Sequence, residues 1–178
     1  MIPRLETERL ILREWRADDF EPFAQFMADE EVMRHLGGRA LSRGDAWRNL
    51  ARAIGHWHLR GYGTWAVQRK EDGALAGRVG LINPEGWPGL EVGWTLGRPY
   101  WGKGYATEAA IASLNYGFTT QKVDRLISVI DPANAASQAV ARRIGEKKGE
   151  RTVLTIEDES FPADIWYITR AEWKKRYA

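Results

Sequence analysis

The chain has 178 residues, 44% of them hydrophobic and 28% charged, with no cysteine, which excludes a disulfide framework, a thiolate zinc site and a cysteine nucleophile and suits a cytoplasmic protein. Its 26 basic and 24 acidic residues leave a formal charge of +2, interleaved rather than gathered into a basic stripe, so nucleic acid is not an expected partner. No apolar run approaches the ~20 residues of a membrane span and MIPRLETERL lacks a signal-peptide core, so a membrane is not expected either; with no repeat or linker, residues 1–178 are expected to fold as one α+β domain.

Leu10 to Trp15 reads as a first strand. Ala17-Asp18-Asp19 then caps a helix on which Phe20, Phe23 and Phe26 or Met27 recur at helical spacing. Asp29 to Leu36 predicts a short helix ended by Gly37-Gly38. Ser42 caps a longer one through Trp47, Leu50, Ile54 and Trp57, closed by Gly61. From Thr64 the period changes: TWAVQR and LAGRVGLIN are two strands joined by the turn Lys70-Glu71-Asp72-Gly73, and a loop from Asn83 to Gly89 follows. Leu90 to Leu96 predicts a strand, Gly104 to Phe118 a helix, Arg125 to Ile130 a strand, and Ala135 to Ile144 a helix stopped at Gly145. Two last strands, near 147–155 and 161–169, flank the acidic turn Glu157-Asp158-Glu159, and Lys174-Lys175-Arg176 reads as a solvated last helical turn. The nine tryptophans are scattered, as core or pocket walls. His56 and His58 diverge on a helix and have no third ligand nearby, so no metal site is expected.

The stretch EVGWTLGRPYWGKGYATEAAIASLNYGF, Glu91 to Phe118, hands a strand to a helix through Trp101-Gly102-Lys103-Gly104. A helix N-terminus leaves N–H groups unpaired and carries partial positive charge, and glycines ahead of it let the backbone approach an anion. The residues alone leave two readings: a tight turn, or a cradle for a phosphate-bearing ligand. They do exclude a nucleotide-triphosphate loop, since Lys-Ser/Thr does not follow the second glycine, and a dinucleotide fingerprint, since Thr107 stands where GxGxxG needs glycine.

WGKGYATEA, preceded by EVGWTL and followed by DPANAASQAVARRIG, resembles the GNAT-type N-acetyltransferase superfamily, and most closely its ribosomal-protein-alanine acetyltransferase (RimJ/RimL-like) branch. The opening ETERLILREWRADDF, the hairpin TWAV…GALAGRVGL and the closing strands extend the resemblance over nearly the whole chain. It implies an α+β fold with a mixed, mostly antiparallel seven-stranded sheet flanked by helices and splayed in its middle. It further implies acetyl-CoA as co-substrate, no metal, and direct attack by a primary amine. The acceptor is a protein N-terminal amine or a small molecule such as a polyamine, an amino acid or an antibiotic; a non-catalytic CoA-binding module is the alternative. The acceptor side would be lined by the early helices, the loop around Trp87 and the final hairpin. Asp29, Glu30 and Glu31 either attract a cationic acceptor there or merely decorate a helix surface. A homodimer is open to such a fold, and the chain itself does not declare an oligomeric state.

The resemblance also assigns residues. The pyrophosphate loop Gln/Arg-x-x-Gly-x-Gly/Ala falls on Trp101-Gly102-Lys103-Gly104-Tyr105-Ala106, matching at Gly104 and Ala106 and departing at Trp101. Backbone N–H groups from Gly102 to Ala106 would face the pyrophosphate, with charge from Lys103 and a hydroxyl from Thr107. Trp94, Thr95 and Leu96 would hold the pantetheine arm by main-chain bonds, with the oxyanion donor near Thr95, and Glu91 would be the base, acting through water. The tyrosine that many relatives place seven residues beyond Asn134 is here Ala141, so that acid is missing. In Asn134-Ala135-Ala136-Ser137 the branch pattern puts Asn134 on the pantetheine and Ser137 near the sulfur. By residue chemistry alone Asn134 is equally a helix cap and Ser137 a small buried polar residue.

Overall fold

A computed structural model describes residues 1–156 and 159–177, the side chains of Ile156 and Glu159 excepted. Among the described residues there are eight strands and six α-helices. They run β1 (Leu5–Glu6), β2 (Leu10–Arg13), α1 (Phe20–Met27), α2 (Glu30–Met33), α3 (Arg43–Arg60), β3 (Thr64–Arg69), β4 (Leu75–Ile82) and β5 (Glu91–Leu96). Then come α4 (Tyr105–Thr120), β6 (Arg125–Ile130), α5 (Ala135–Arg143), β7 (Lys147–Ile156), β8 (Glu159–Thr169) and α6 (Arg170–Tyr177). The strands form one sheet in the order β1-β2-β3-β4-β5-β6-β8-β7, antiparallel throughout except between β5 and β6. The expected sheet of seven strands gains an eighth: β1, two residues long, pairs Leu5 with Leu12 and is too short to carry a period. Glu157 and Asp158 of the expected acidic turn lie outside the described residues.

Local chemistry accounts for the element ends. The Ser42 hydroxyl accepts the Asp45 N–H at 3.1 Å to start α3, and Gly61, at φ 75°, closes it by donating to Trp57 O at 2.9 Å. The sheet buries both faces. On one, α4 lays Ala109, Ala110, Leu114 and Phe118 against Leu12, Trp65, Val79, Leu81, Val92 and Leu126. On the other, α1 and α3 pack Phe23, Met27, Ala46 and Leu50 over Trp15, Ala66 and Leu75. Four indoles, those of Trp15, Trp57, Trp65 and Trp101, donate their N–H to backbone oxygens, and Trp15 and Trp57 share the Thr64 carbonyl, at 3.0 and 2.9 Å. No helix among the described residues is long and apolar enough to cross a membrane.

The break in this sheet positions the site. β5 and β6 share a single register pair, Glu91 with Ile127, and the Ile127 N–H donates to Leu90 O at 3.0 Å. Beyond it the two strands part, because β6 continues to Ile130 paired with β8 alone.

Candidate active site

Side chains replace the missing ladder across the splay. The Val129 N–H donates to Glu91 Oε1 at 3.2 Å, the Ser128 hydroxyl lies 2.7 Å from Val92 O, and Trp94 Nε1 donates to Ser137 Oγ at 3.3 Å. In an antiparallel ladder alternate residues turn both backbone groups toward one neighbour. Gly97 donates to Ala76 O on the β4 side, while Leu90 O and Val92 O face β6. The even-numbered residues of β5 therefore turn their main chain to the splay, leaving the Trp94 N–H and C=O and the Leu96 N–H facing it. Thr95, expected to supply the oxyanion donor, instead turns its backbone into the ladder opposite Arg78. The Leu96 carbonyl accepts the Trp101 indole N–H at 2.8 Å, so Trp101, 45% exposed, folds the connecting turn back on its own strand.

The glycine turn ends at the start of α4. Gly102 and Gly104 have φ of 72° and 80°, the left-handed region that a side chain disfavours. Gly104 is the N-cap and offers no side-chain cap. The first helical bond runs from Glu108 N–H to Gly104 O at 3.0 Å, so the N–H groups of Tyr105, Ala106 and Thr107 point out of the helix end without helical acceptors. A Cβ on Gly102 would meet nothing within 4 Å, so glycine is there for its backbone conformation, not for want of room. Sequence reasoning missed the support beneath this turn. Arg9 donates to Lys103 O at 2.9 Å and to Glu108 Oε2 at 2.7 Å, and its guanidinium lies 4.7 Å over the Tyr105 ring. Its charge is matched by Glu108, so it braces the turn without adding net charge, and no local pattern in ETERLIL marks it for that role.

Glu91 stands at the opposite end of β5, 6% exposed. Besides the Val129 bond, its Oε2 accepts Trp87 Nε1 at 2.6 Å. Burial pushes its carboxyl up to about 7, against the pull of the Val129 and Trp87 N–H groups and of the Arg78 charge. A second carboxyl, missed from the sequence, lies behind it: Glu146, 4% exposed, with Oε1 3.0 Å from Ser128 Oγ. Ser128 has one hydroxyl proton and two oxygen neighbours, Val92 O and Glu146 Oε1. If the shorter contact takes that proton, Glu146 must supply the other and is the neutral acid. Burial, with the nearby Glu91 charge, likewise pushes it well above the usual carboxylate range. Ser128 and Glu146 are 18 residues apart, and neither carries a local signal.

At the mouth of the splay Asn134 caps α5, its Oδ1 accepting the Ser137 N–H at 3.0 Å, and Ser137 is fixed by Trp94. Asn134 is thus a cap, which leaves its amide NH2 for another partner. Ala141 is fully buried against Ile130 and Trp166, so the place of the missing tyrosine is filled by core. Two of the three early acidic residues are used locally: Asp29 caps α2 and pairs with Arg98 at 3.0 Å, and Glu31 pairs with Arg34. His56 is structural: its Nδ1 lies 2.7 Å from Tyr62 O and its Nε2 accepts the Asn83 N–H at 3.1 Å. No group of three metal-ligating side chains occurs among the described residues.

Residues 9–147 match the family model described as acetyltransferase (GNAT) domain. The chain is 34% identical over 172 residues to the uncharacterized protein YkkB of Bacillus subtilis (strain 168), covering 89% of this chain and 96% of that one. It is 25% identical over 183 residues to the [ribosomal protein uS5]-alanine N-acetyltransferase of Escherichia coli (strain K12), covering 96% of this chain and 92% of that one. Among solved structures, an acetyltransferase from Agrobacterium tumefaciens str. C58 superposes with a TM-score of 0.83 at 30% identity, with 96% of each chain covered. RimL, a ribosomal L7/L12 alpha-N-protein acetyltransferase crystallised with coenzyme A, shares the fold at a TM-score of 0.74 and 16% identity, with 94% of this chain and 98% of that one covered.

Proposed function

Since this chain belongs to the GNAT acetyltransferase family and is an N-acetyltransferase, we propose that it binds acetyl-CoA at the glycine turn and in the splay, and acetylates a primary amine that Glu91 deprotonates. The observation that carries this reading is the junction itself. Three outward N–H groups at the start of α4, two glycines at positive φ and the charge of Lys103 suit a diphosphate, with Arg9 bracing the turn through Lys103 O. One splay-facing edge of β5 suits an extended arm that hydrogen-bonds as an added strand. Gly102 to Thr107 would hold the diphosphate; Trp94 and Leu96, flanked by Asn134, would hold the pantetheine. The donor supplies the activated acetyl thioester.

What the chain contributes is positioning and proton transfer. An amine attacks only when neutral, and a base tuned near the working pH takes its proton most effectively. Glu91, buried and raised to about 7, meets that requirement, directly or through one water. The Trp94 N–H, free of the ladder, is the donor for negative charge developing on the acyl oxygen, in place of Thr95. Ser137, 3.3 Å from the Trp94 indole, is a hydroxyl able to polarise or relay a proton at the mouth of the splay. With Ala141 in the core, no phenol takes that part.

The acceptor is proposed to be a protein N-terminal amine, the kind of substrate named for the uS5-alanine relative. The test is acetyl-CoA thioester consumption against a panel of N-terminal peptides and small amines, with mass spectrometry of the products, in wild type and Glu91→Gln. Acetylated peptides with a much slower variant support the reading. Turnover confined to small amines overturns the choice of acceptor, and an equally fast variant overturns the base.

A further inference from the structure

Two arginines lie in one cross-strand row of the sheet and are provided for very differently. Arg13 on β2 pairs with Ala66 on β3, Ala66 with Arg78 on β4, and Arg78 with Thr95 on β5. Directly paired residues share a face, so both guanidiniums rise on the side covered by α1 and α3. Arg13 is buried and carries its own counter-ion: Asp19 accepts from it twice, at 2.7 and 2.8 Å. Arg78, half-buried, has a neutral partner instead, donating to Asn49 Oδ1 at 2.6 Å. Among the described residues no carboxylate lies within 4 Å of it, whereas Arg34, Arg43, Arg48 and Arg60 on the surface, and the partly buried Arg69, all have one. Removing a charge from water without a counter-ion is costly. Burial and then the like charge of Arg52 pull Arg78 down to about 10, with the Glu91 charge pulling the other way and the Phe23 ring 5.9 Å from the guanidinium.

The surroundings turn this unmatched charge toward the reaction. One flank of α3 runs along β4, since Asn49 bonds Arg78 at one end and His56 accepts from the Asn83 N–H at the other. Arg52, between them at helical spacing, overlooks the middle of β4. There Gly80 pairs with Gly93, so no side chain rises between the Arg78–Thr95 row and the Ile82–Glu91 row. The backbone of Gly63 and Thr64, at the start of β3, closes against Gly80, and the strip is open on the Gly93 side. A Cβ on Gly93 would come within 3.6 Å of Glu91 Oε1, so the carboxyl lies at the end of the same trough. Among the described residues Asp29 and Glu31 are paired with Arg98 and Arg34, while Arg78 and Arg52 stand over the strip with the Glu91 carboxyl, which burial drives toward neutrality.

Building on the acetyltransferase reading above, we propose that this trough selects an acceptor bearing an anionic group, a carboxylate or a phosphate, which Arg78 and Arg52 hold while the amine faces Glu91. A guanidinium offers such a group two parallel N–H bonds, and a site built around a buried charge rejects the neutral isostere. The test compares dipeptide amides in pairs: Ala-Glu against its isostere Ala-Gln for a carboxylate, and Ala-phosphoserine against Ala-Ser, which lacks the phosphoryl group, for a phosphate. In wild type, kcat/KM is expected to favour the anionic member of at least one pair by about 30-fold, the favoured pair identifying the source. Arg78→Met is expected to bring that ratio to near one, and Arg52→Gln, on the exposed side of α3, to cut it about threefold, so the result does not hang on one buried substitution. A wild-type ratio at or below one in both pairs, or ratios that survive both substitutions, would overturn the proposal. Calorimetry with N-acetyl-Ala-Glu amide and N-acetyl-Ala-Gln amide reads the same preference without turnover. Tighter binding of the anionic product to an inactive protein would defeat the acetyl-transfer reading and keep the subsite; brisk turnover without charge preference would do the reverse.

Discussion

At the start of α4 the groups offered to a ligand belong to the main chain, whereas at the far end of β5 they belong to side chains whose properties come from burial. The glycine turn presents N–H groups because two residues sit at positive φ and a helix begins there. Such a site tolerates a change of side chain, as at Trp101, but not a loss of backbone conformation. The Glu91 end is the converse. Burial raises its carboxyl to about 7 against the pull of the Val129 and Trp87 N–H groups, so its chemistry depends on packing by segments distant in sequence. One half binds by geometry and the other reacts by environment, and each should fail in its own way.

The sharpest break is Glu91→Gln. It should lower kcat/KM by about 10²–10⁴, the range for loss of a general base, in a thioester-release assay at saturating acceptor. The wild-type profile of kcat/KM against pH should contain a limb near 7, additional to the acceptor amine's own titration, that the variant lacks. The same substitution should change how stability depends on pH. A carboxyl held above its ordinary value binds more protons folded than unfolded, so its contribution is intact below about 4.5 and is lost as pH rises through about 7. The glutamine amide can accept only one of the Val129 and Trp87 N–H groups, so the test is the change with pH. From pH 5 to pH 8 Glu91→Gln should gain about 1–3 kcal/mol relative to wild type in urea melts, and no gain would show the ionised carboxylate to be well paired.

Glu146 sharpens the same half. Glu146→Ala should destabilise by about 1–3 kcal/mol, the cost of orphaning a buried partner. Glu146→Gln, whose amide still donates to Ser128, should lie close to wild type; equal losses in thermal melts would refute the neutral acid.

The other half is broken at Gly102. Gly102→Val should weaken acetyl-CoA binding about tenfold by forcing a β-branched residue toward φ 72°, while Gly102→Asn, which tolerates that region, should retain most of the affinity in a fluorescence titration. The smallest effect is expected at Ser137: Ser137→Ala should reduce kcat less than about fivefold, worth under ~1 kcal/mol. A larger drop would promote its hydroxyl to a principal proton donor.

The two halves were also unequally legible. TWAVQR and RLISVI span β3 and β6 to the residue, and Ser42 and Gly61 bracket α3 as their chemistry requires. The glycine turn could be located in the sequence because backbone conformation follows from local residue type. What stayed hidden was whatever needed two distant segments. The pairing of Ser128 with Glu146, the placing of Arg9 under Lys103 and the unmatched Arg78 beside Asn49 arise from topology. β1 escaped because two residues carry no period. Thr95 was expected to offer its N–H to the splay, but the ladder alternation assigns that face to Trp94, since one position along a strand reverses the direction of both backbone groups.

The most direct measurement is a pair of calorimetric titrations of the wild-type protein, one with acetyl-CoA and one with acetyl-pantetheine, which lacks the diphosphate and nucleotide. If the main chain from Gly102 to Thr107 grips the diphosphate, acetyl-CoA should bind at least about 100-fold more tightly, with a gap that narrows in Gly102→Val. Equal affinities, or no uptake of acetyl-CoA by folded protein, would contradict the account.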